Sequence, residues 1–178
     1  MRLQPVRRTG RDVIEIRAEE PADIAAIRGV NCRAFGQDQE GKIVDALRAN
    51  GGALLSLVAV KQGRIVGHIM YSPARVGSVQ GAAIGPIAVV PEEQSHDIGT
   101  KLVEEGNEWV ARNGYPLIVV VGHPKFYPRF GFRPASSYRI TSEWELPNEV
   151  FMVLPLDDVQ MAASAGAAIC RPEFSSVK

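Results

Sequence analysis

Ala82-Ala83-Ile84-Gly85-Pro86-Ile87-Ala88-Val89-Val90-Pro91-Glu92-Glu93-Gln94-Ser95-His96-Asp97-Ile98-Gly99-Thr100-Lys101-Leu102 opens the stretch that decides the fold, and the stretch runs on to Asn113. Ile84, Ile87, Ala88, Val89 and Val90 make the short apolar run of a central strand. Pro91 ends it, because proline has no N–H to give a sheet ladder. Ile98, Leu102, Val103, Trp109 and Val110 then recur at helical spacing, with Gly106 on the same face and Gly114 placed to terminate the helix. Between strand and helix lies Gln94 to Thr100, where N–H groups at a helix start can cradle an anion. That attraction is only about 0.3–1 kcal/mol, so the turn by itself leaves an ordinary strand-to-helix loop equally open. No G-x-G-x-x-G dinucleotide fingerprint follows the strand, and no Walker lysine motif is present.

Upstream, Leu54 to Val60, the turn Lys61-Gln62-Gly63-Arg64 and Ile65 to Tyr71 form a hairpin pattern. Ala74 to Gly81 is a polar, glycine-containing link into the central strand. Before the hairpin, Val13 to Arg17 alternates as a half-exposed strand should. Pro21-Ala22-Asp23 opens a helix whose inner face carries Ile24, Ile27 and Val30 or Asn31, ending near Phe35-Gly36. Ile43, Val44, Leu47 and Arg48 predict a second helix closed by Asn50-Gly51-Gly52.

Downstream, Pro116 to Val121 is a continuous apolar run, the pattern of a strand covered on both faces. Gly122-His123-Pro124-Lys125 breaks it, and Phe126-Tyr127-Pro128-Arg129-Phe130-Gly131-Phe132 follows. Short strands are predicted around Tyr138 to Thr141 and Phe151 to Leu154. From Asp157 the chain is alanine-rich and forms a weak helix or trails off. The order β, α, α, β, β, β, α, β, α, β implies a mixed sheet with helices on its faces.

The bulk numbers bound the partners. Twenty basic residues balance twenty acidic ones, so no global field draws the chain to nucleic acid or a membrane surface. Arg2, Arg7, Arg8 and Arg11, without an acid among the first eleven residues, mark a basic, flexible N-terminus over 1–12. No apolar run approaches the roughly 18–20 residues of a membrane span, and no signal-peptide core follows the basic start. Cys32 and Cys170 give neither a disulfide framework nor a metal set. These features predict a cytoplasmic chain.

Two segments carry chemistry. The turn Gln94 to Thr100 is the first. The second is Tyr127, set among prolines and aromatics just past a buried strand, where a phenol can protonate a leaving group or simply pack. Taken together they resemble the GNAT superfamily of acyl-CoA-dependent N-acetyltransferases. The resemblance covers roughly Val13 to Leu154. Its V-x-P-x-x-Q/R-x-x-G-x-G/A segment is matched by Val89 to Gly99, and its F-Y-x-x-x-G-F segment by Phe126 to Phe132. The Gly-His-Pro-x-Phe-Tyr-Pro-Arg-Phe-Gly-Phe wording is closest to a bacterial subgroup of acetyltransferases.

The resemblance implies an α/β (α+β) fold: a mixed, mostly antiparallel sheet of six to seven strands, helices on both faces, and a splay between strands 4 and 5. The domain would span 13–156, followed by a tail over 157–178. It also implies acetyl-CoA as co-substrate, an unidentified amine acceptor on a small molecule or protein, and, at family level, a homodimer. Ile87, Ala88 and Val89 would meet the pantetheine and acyl carbonyl. Gln94, Ser95, His96, Asp97, Ile98, Gly99 and Thr100 would supply N–H groups to the pyrophosphate. Phe126 and Tyr127 complete the cofactor set, with Tyr127 as the acid for the departing thiolate.

This chain departs from the family in two places. Asp97 stands where the segment has its first glycine, so a carboxylate either faces water or repels a phosphate; about 4 Å of separation would cost roughly 4 kcal/mol at an effective dielectric of 20. Ala82 to Val90 holds no carboxylate where many relatives place a basic glutamate. His123 is the substitute by position, or else it shapes the Gly-His-Pro turn. His68 reads as a sheet residue. The alternative to a transferase is a degenerate CoA-binding or regulatory module.

Overall fold

Short apolar strands and one strongly amphipathic helix build a sheet with helices on both faces. The computed structural model describes residues 13–176, so the basic stretch 1–12 lies outside the described residues. In chain order the elements are β1 (Ile14–Ala18), α1 (Ile24–Phe35), α2 (Gln39–Ala49), β2 (Leu55–Lys61), β3 (Arg64–Val76), β4 (Val79–Val89) and α3 (Ile98–Arg112). They continue with β5 (Leu117–Val121), β6 (Arg133–Pro134), β7 (Ile140–Ser142), β8 (Phe151–Pro155), α4 (Asp158–Ala162) and β9 (Gly166–Ile169). Seven strands follow one path, β1-β2-β3-β4-β5-β8-β6, while β9 pairs with both β3 and β7 and brings the sheet to nine. Pairing is antiparallel except for β4 with β5 and β7 with β9.

Alternation along β3 sorts the two faces. Met70 packs with Ile27, Ile43, Val44 and Leu47 of α1 and α2. Ile69 and Tyr71 point the other way, into the cluster built on Ile98, Leu102, Val103 and Val110 of α3. Gly106 is the residue that lets α3 settle, because an added Cβ would lie 2.3 Å from the Tyr71 ring. Tyr71 answers with hydrogen bonds from its hydroxyl to the Asn107 side chain (2.9 Å) and the Val103 carbonyl (3.3 Å). Trp109, expected on the inner face, is only half-buried at its edge.

Four expectations change. Ala74 to Gly81 is not a link but the tip of a second hairpin, with Arg75 opposite Gln80 and Val76 opposite Val79 around Gly77-Ser78. Its polar residues alternate with buried Ala74, Val76 and Val79, a strand pattern that the glycines obscure. Ile24 leaves the inner face because residues 21–23 form a 3-10 turn, which gives the buried position to Asp23, bonded to Arg17. The helix expected after β5 is a pair of 3-10 turns, Tyr127–Phe130 and Ala135–Tyr138. Beyond Asp157, the expected weak helix is present as α4, but the chain does not trail off. It returns as β9, with Ala168 opposite Val76, and ends in a 3-10 turn over 172–176.

Candidate active site

Strand β4 leaves β5 soon after they meet. Their parallel pairing covers only Ala82, Ala83 and Ile84 against Ile118, Val119 and Val120. Gly81 permits the approach, since a Cβ there would lie 2.7 Å from the Leu117 carbonyl. Further along, β4 stays with β3, and the register shifts between Tyr71 opposite Ile84 and Ile69 opposite Ile87. This irregularity inserts Gly85-Pro86 against a single β3 residue and bends the strand as a bulge does. The V that opens holds a cavity of about 950 Å³.

The cavity wall mixes near and distant parts of the chain. Ile84 to Ile87 line it from β4, Val119 to His123 from β5 and the turn after it, and Phe126 and Tyr127 from the segment that follows. Phe35, Glu40 and Ile43 enter from α1 and α2, the loop Glu143 to Leu146 from beyond β7, and Phe174 from the last 3-10 turn. Phe174 sits where a Cβ on Gly85 would come within 3.2 Å of its ring. Burial pushes the Cys170 thiol, also on the wall, up to about 12.

Tyr127 is 4% exposed and wedged edge-on between Phe126 and Phe132, with ring centroids 5.0 and 5.4 Å away. Gly122 makes room, for a Cβ there would lie 2.1 Å from the Tyr127 ring. Burial raises the hydroxyl pKa well above the ordinary phenol value, so the group stays protonated. His123 is exposed, and its Nδ1 accepts the Lys125 backbone N–H at 3.2 Å. That contact engages the Nδ1 lone pair.

At the far end, Ser95 and Asp97 both take left-handed backbone, with φ of 64° and 63°, and Asp97 caps α3 without any side-chain hydrogen bond. The first N–H bonded back into the helix is that of Lys101, to the Asp97 carbonyl at 3.0 Å, so those of Ile98, Gly99 and Thr100 stand at an open end. Gln94 ties the loop to the strand through Nε2 to the Val89 carbonyl at 2.9 Å. Gly99 faces Phe126, and an added Cβ would make only ordinary contacts of 3.6 Å or more. Nothing in the protein itself therefore requires glycine there. Asp97 and His96 are exposed, and His96 lies 3.8 Å from Glu93.

Ile87, His123, Phe126 and Tyr127 thus meet on one cavity, with Gln94 to Thr100 adjoining it through Phe126 and Gly99. Ala88 does not share that wall; it is buried opposite His68, and Val89 lies beside Gly99. A family model described as an acetyltransferase (GNAT) domain matches residues 53–134. The uncharacterised N-acetyltransferase YhbS of Escherichia coli K12 is 33% identical over 163 residues, which cover 90% of this chain and 98% of that protein. The chain belongs to the GNAT family of N-acetyltransferases. The crystal structure of Escherichia coli YhbS in complex with CoA matches it with a TM-score of 0.88 at 29% identity, over 100% of this chain and 98% of that one. A GNAT acetyltransferase from Brucella melitensis in complex with acetyl-CoA matches with a TM-score of 0.76 at 32% identity, over 92% and 99%.

This GNAT chain also places residues at the site that the motifs leave unassigned. Arg129 stacks on Phe126 and Phe130, 4.7 and 5.5 Å from the ring centroids, and its Nη2 reaches Thr100 Oγ1 at 3.2 Å. Its position two residues after Tyr127 was the available signal. Glu40, Glu145 and Phe174 had none, because tertiary closure alone brings them to the wall. Among the described residues no His, Cys, Asp or Glu group could hold a metal ion, and no helix is long and apolar enough to cross a membrane.

Proposed function

We propose that the chain transfers an acetyl group from acetyl-CoA to an amine in the V between β4 and β5. The carrying observation is the splay itself: pairing that stops at Ile84 and Val120 opens a cavity lined by a buried, protonated tyrosine. The residues present fit the co-substrate. Three unpartnered N–H groups at the start of α3, a glycine with room beside it and the Arg129 guanidinium suit a pyrophosphate, and the apolar β4–β5 walls suit a pantetheine arm.

The acceptor nitrogen attacks the thioester carbonyl carbon; the C–N bond forms, the C–S bond breaks, and the sulfur departs as thiolate. Tyr127 is the proposed acid: its hydroxyl donates the proton that converts the thiolate to free thiol. The ammonium proton of the acceptor goes to water, since the His123 Nδ1 lone pair is held by Lys125. Cys170 supports direct attack over an acyl-enzyme, because a thiol pushed up to about 12 is neutral and a poor nucleophile. Asp97 is read as the solvent-facing alternative, consistent with its exposure. Titrating acetyl-CoA into the protein tests the reading: at about 100 times the dissociation constant it should stabilise by roughly 2.7 kcal/mol. No shift at millimolar ligand would remove the cofactor from this site.

A further inference from the structure

Glu40, Glu143 and Glu145 line the cavity, and among the described residues no lysine or arginine does. None of the three has a cationic partner among the described residues. Glu40 accepts from the Gln37 amide at 3.0 and 3.2 Å, and Glu143 from the Cys170 backbone N–H at 2.9 Å. The chain as a whole is neutral, with twenty residues of each sign, so this acidity is local. Arg129, which reaches Thr100 at the start of α3, is not among these lining residues. The aromatic residues Phe35, Trp144 and Phe174 line the same cavity. Phe174 is fixed there by its neighbour Glu173, which accepts from Arg171 at 2.7 Å and from Asn50 at 3.1 Å.

Uncompensated carboxylates beside aromatic faces attract an organic cation twice over, through charge and through the ring quadrupoles. The same wall repels any acceptor that carries its own carboxylate. We propose, building on the acetyl-transfer reading above, that the acceptor is a small primary amine of net positive charge on an apolar stem, and not an amino acid. An ammonium held by carboxylates gives up its proton less readily, so turnover should climb toward alkaline pH.

2-Phenylethylamine and phenylalanine test this, because they differ only by a carboxylate. Turnover is followed by CoA release, and binding of each amine to the CoA-saturated protein by calorimetry. The amine should be preferred at least about tenfold, and Glu143→Gln with Glu145→Gln should shrink that ratio mainly through KM. Equal use of phenylalanine, a ratio untouched by the double variant, or preference for a peptide amine each overturns the proposal. CoA binding without either amine binding or reacting overturns it too, and leaves the cofactor reading intact. Failure to bind CoA at all instead removes the acetyl-transfer reading on which it stands.

Discussion

Two polar regions lie on either side of this sheet's centre, and they are built on opposite rules. Beneath α1 a closed chain of hydrogen bonds is formed: Arg48 donates to Glu19 (2.6 Å), the Ser56 hydroxyl donates to Glu19, Ser56 Oγ pairs with His68 Nε2 (2.9 Å), and Asn31 Nδ2 donates to His68 Nδ1 (3.2 Å). Every link has a partner, and only Asn31 Oδ1 is left over. In the cleft the reverse holds: an open cavity is bordered by acidic residues without cationic partners among the described residues, by an uncapped helix end and by a buried tyrosine. Both regions hold a histidine and acids, so residue type does not separate them. Access and unsatisfied partners do. Tyr71 and Tyr127 repeat the lesson, for burial raises both phenols, yet only Tyr127 borders the cavity.

The sharpest way to break the comparison is Tyr127→Phe. Removing the hydroxyl alone should lower turnover about 10²–10⁴-fold while the melting temperature stays close to wild type, because the ring contacts with Phe126 and Phe132 remain. Unchanged kcat would return Tyr127 to the same structural role as Tyr71.

The closed region should show itself in pH instead. Burial holds His68 at about 4, below its ordinary value near 6.5. The unfolded chain therefore binds the extra proton between those values, and stability is full above about 6.5 and drains as pH falls toward 4. The loss by pH 4.5 should be about 2–3 kcal/mol. Denaturant unfolding at pH 7 and 4.5 measures it, and His68→Gln should flatten the difference.

What could be seen in the sequence follows the same divide. Local order was visible: apolar runs located β4 and β5, helical spacing placed the buried face of α3, and glycine and proline marked its ends. The Tyr127 segment was visible because its residues are consecutive. Pairings between distant segments were not. Gly166-Ala167-Ala168-Ile169 has little intrinsic strand preference and becomes β9 only because β3 and β7 offer it edges. Glu40 and Phe174 reach one wall from opposite ends of the chain, and no spacing rule links them. His123 lines the cavity, and its Nδ1 accepts the backbone N–H of Lys125, a contact that no spacing rule supplies.

A smaller effect is expected at Arg129. Its guanidinium is exposed, so Arg129→Ala should weaken CoA binding by about three- to tenfold, within the range of a solvent-screened charged hydrogen bond. Binding of pantetheine, which lacks the pyrophosphate, should not change. Equal weakening of both ligands would mean that Arg129 acts by packing Phe126 and not by charge.

The smallest change separates the two ways in which Asp97 departs from glycine. Its left-handed backbone, φ 63°, costs an aspartate roughly 1 kcal/mol at most, and its carboxylate faces solvent, where salt screens it. Asp97→Asn removes the charge and keeps the backbone preference; Asp97→Gly removes both. If charge matters more, the two variants should tighten CoA binding alike, by a few-fold, and the gain should fade at high salt. If backbone strain matters more, only the glycine variant should gain, and salt should leave it unchanged. A hundredfold gain from a wild type that binds no CoA would mean that the carboxylate closes the loop to phosphate. The cleft would then hold its open, unpartnered groups for a ligand other than CoA.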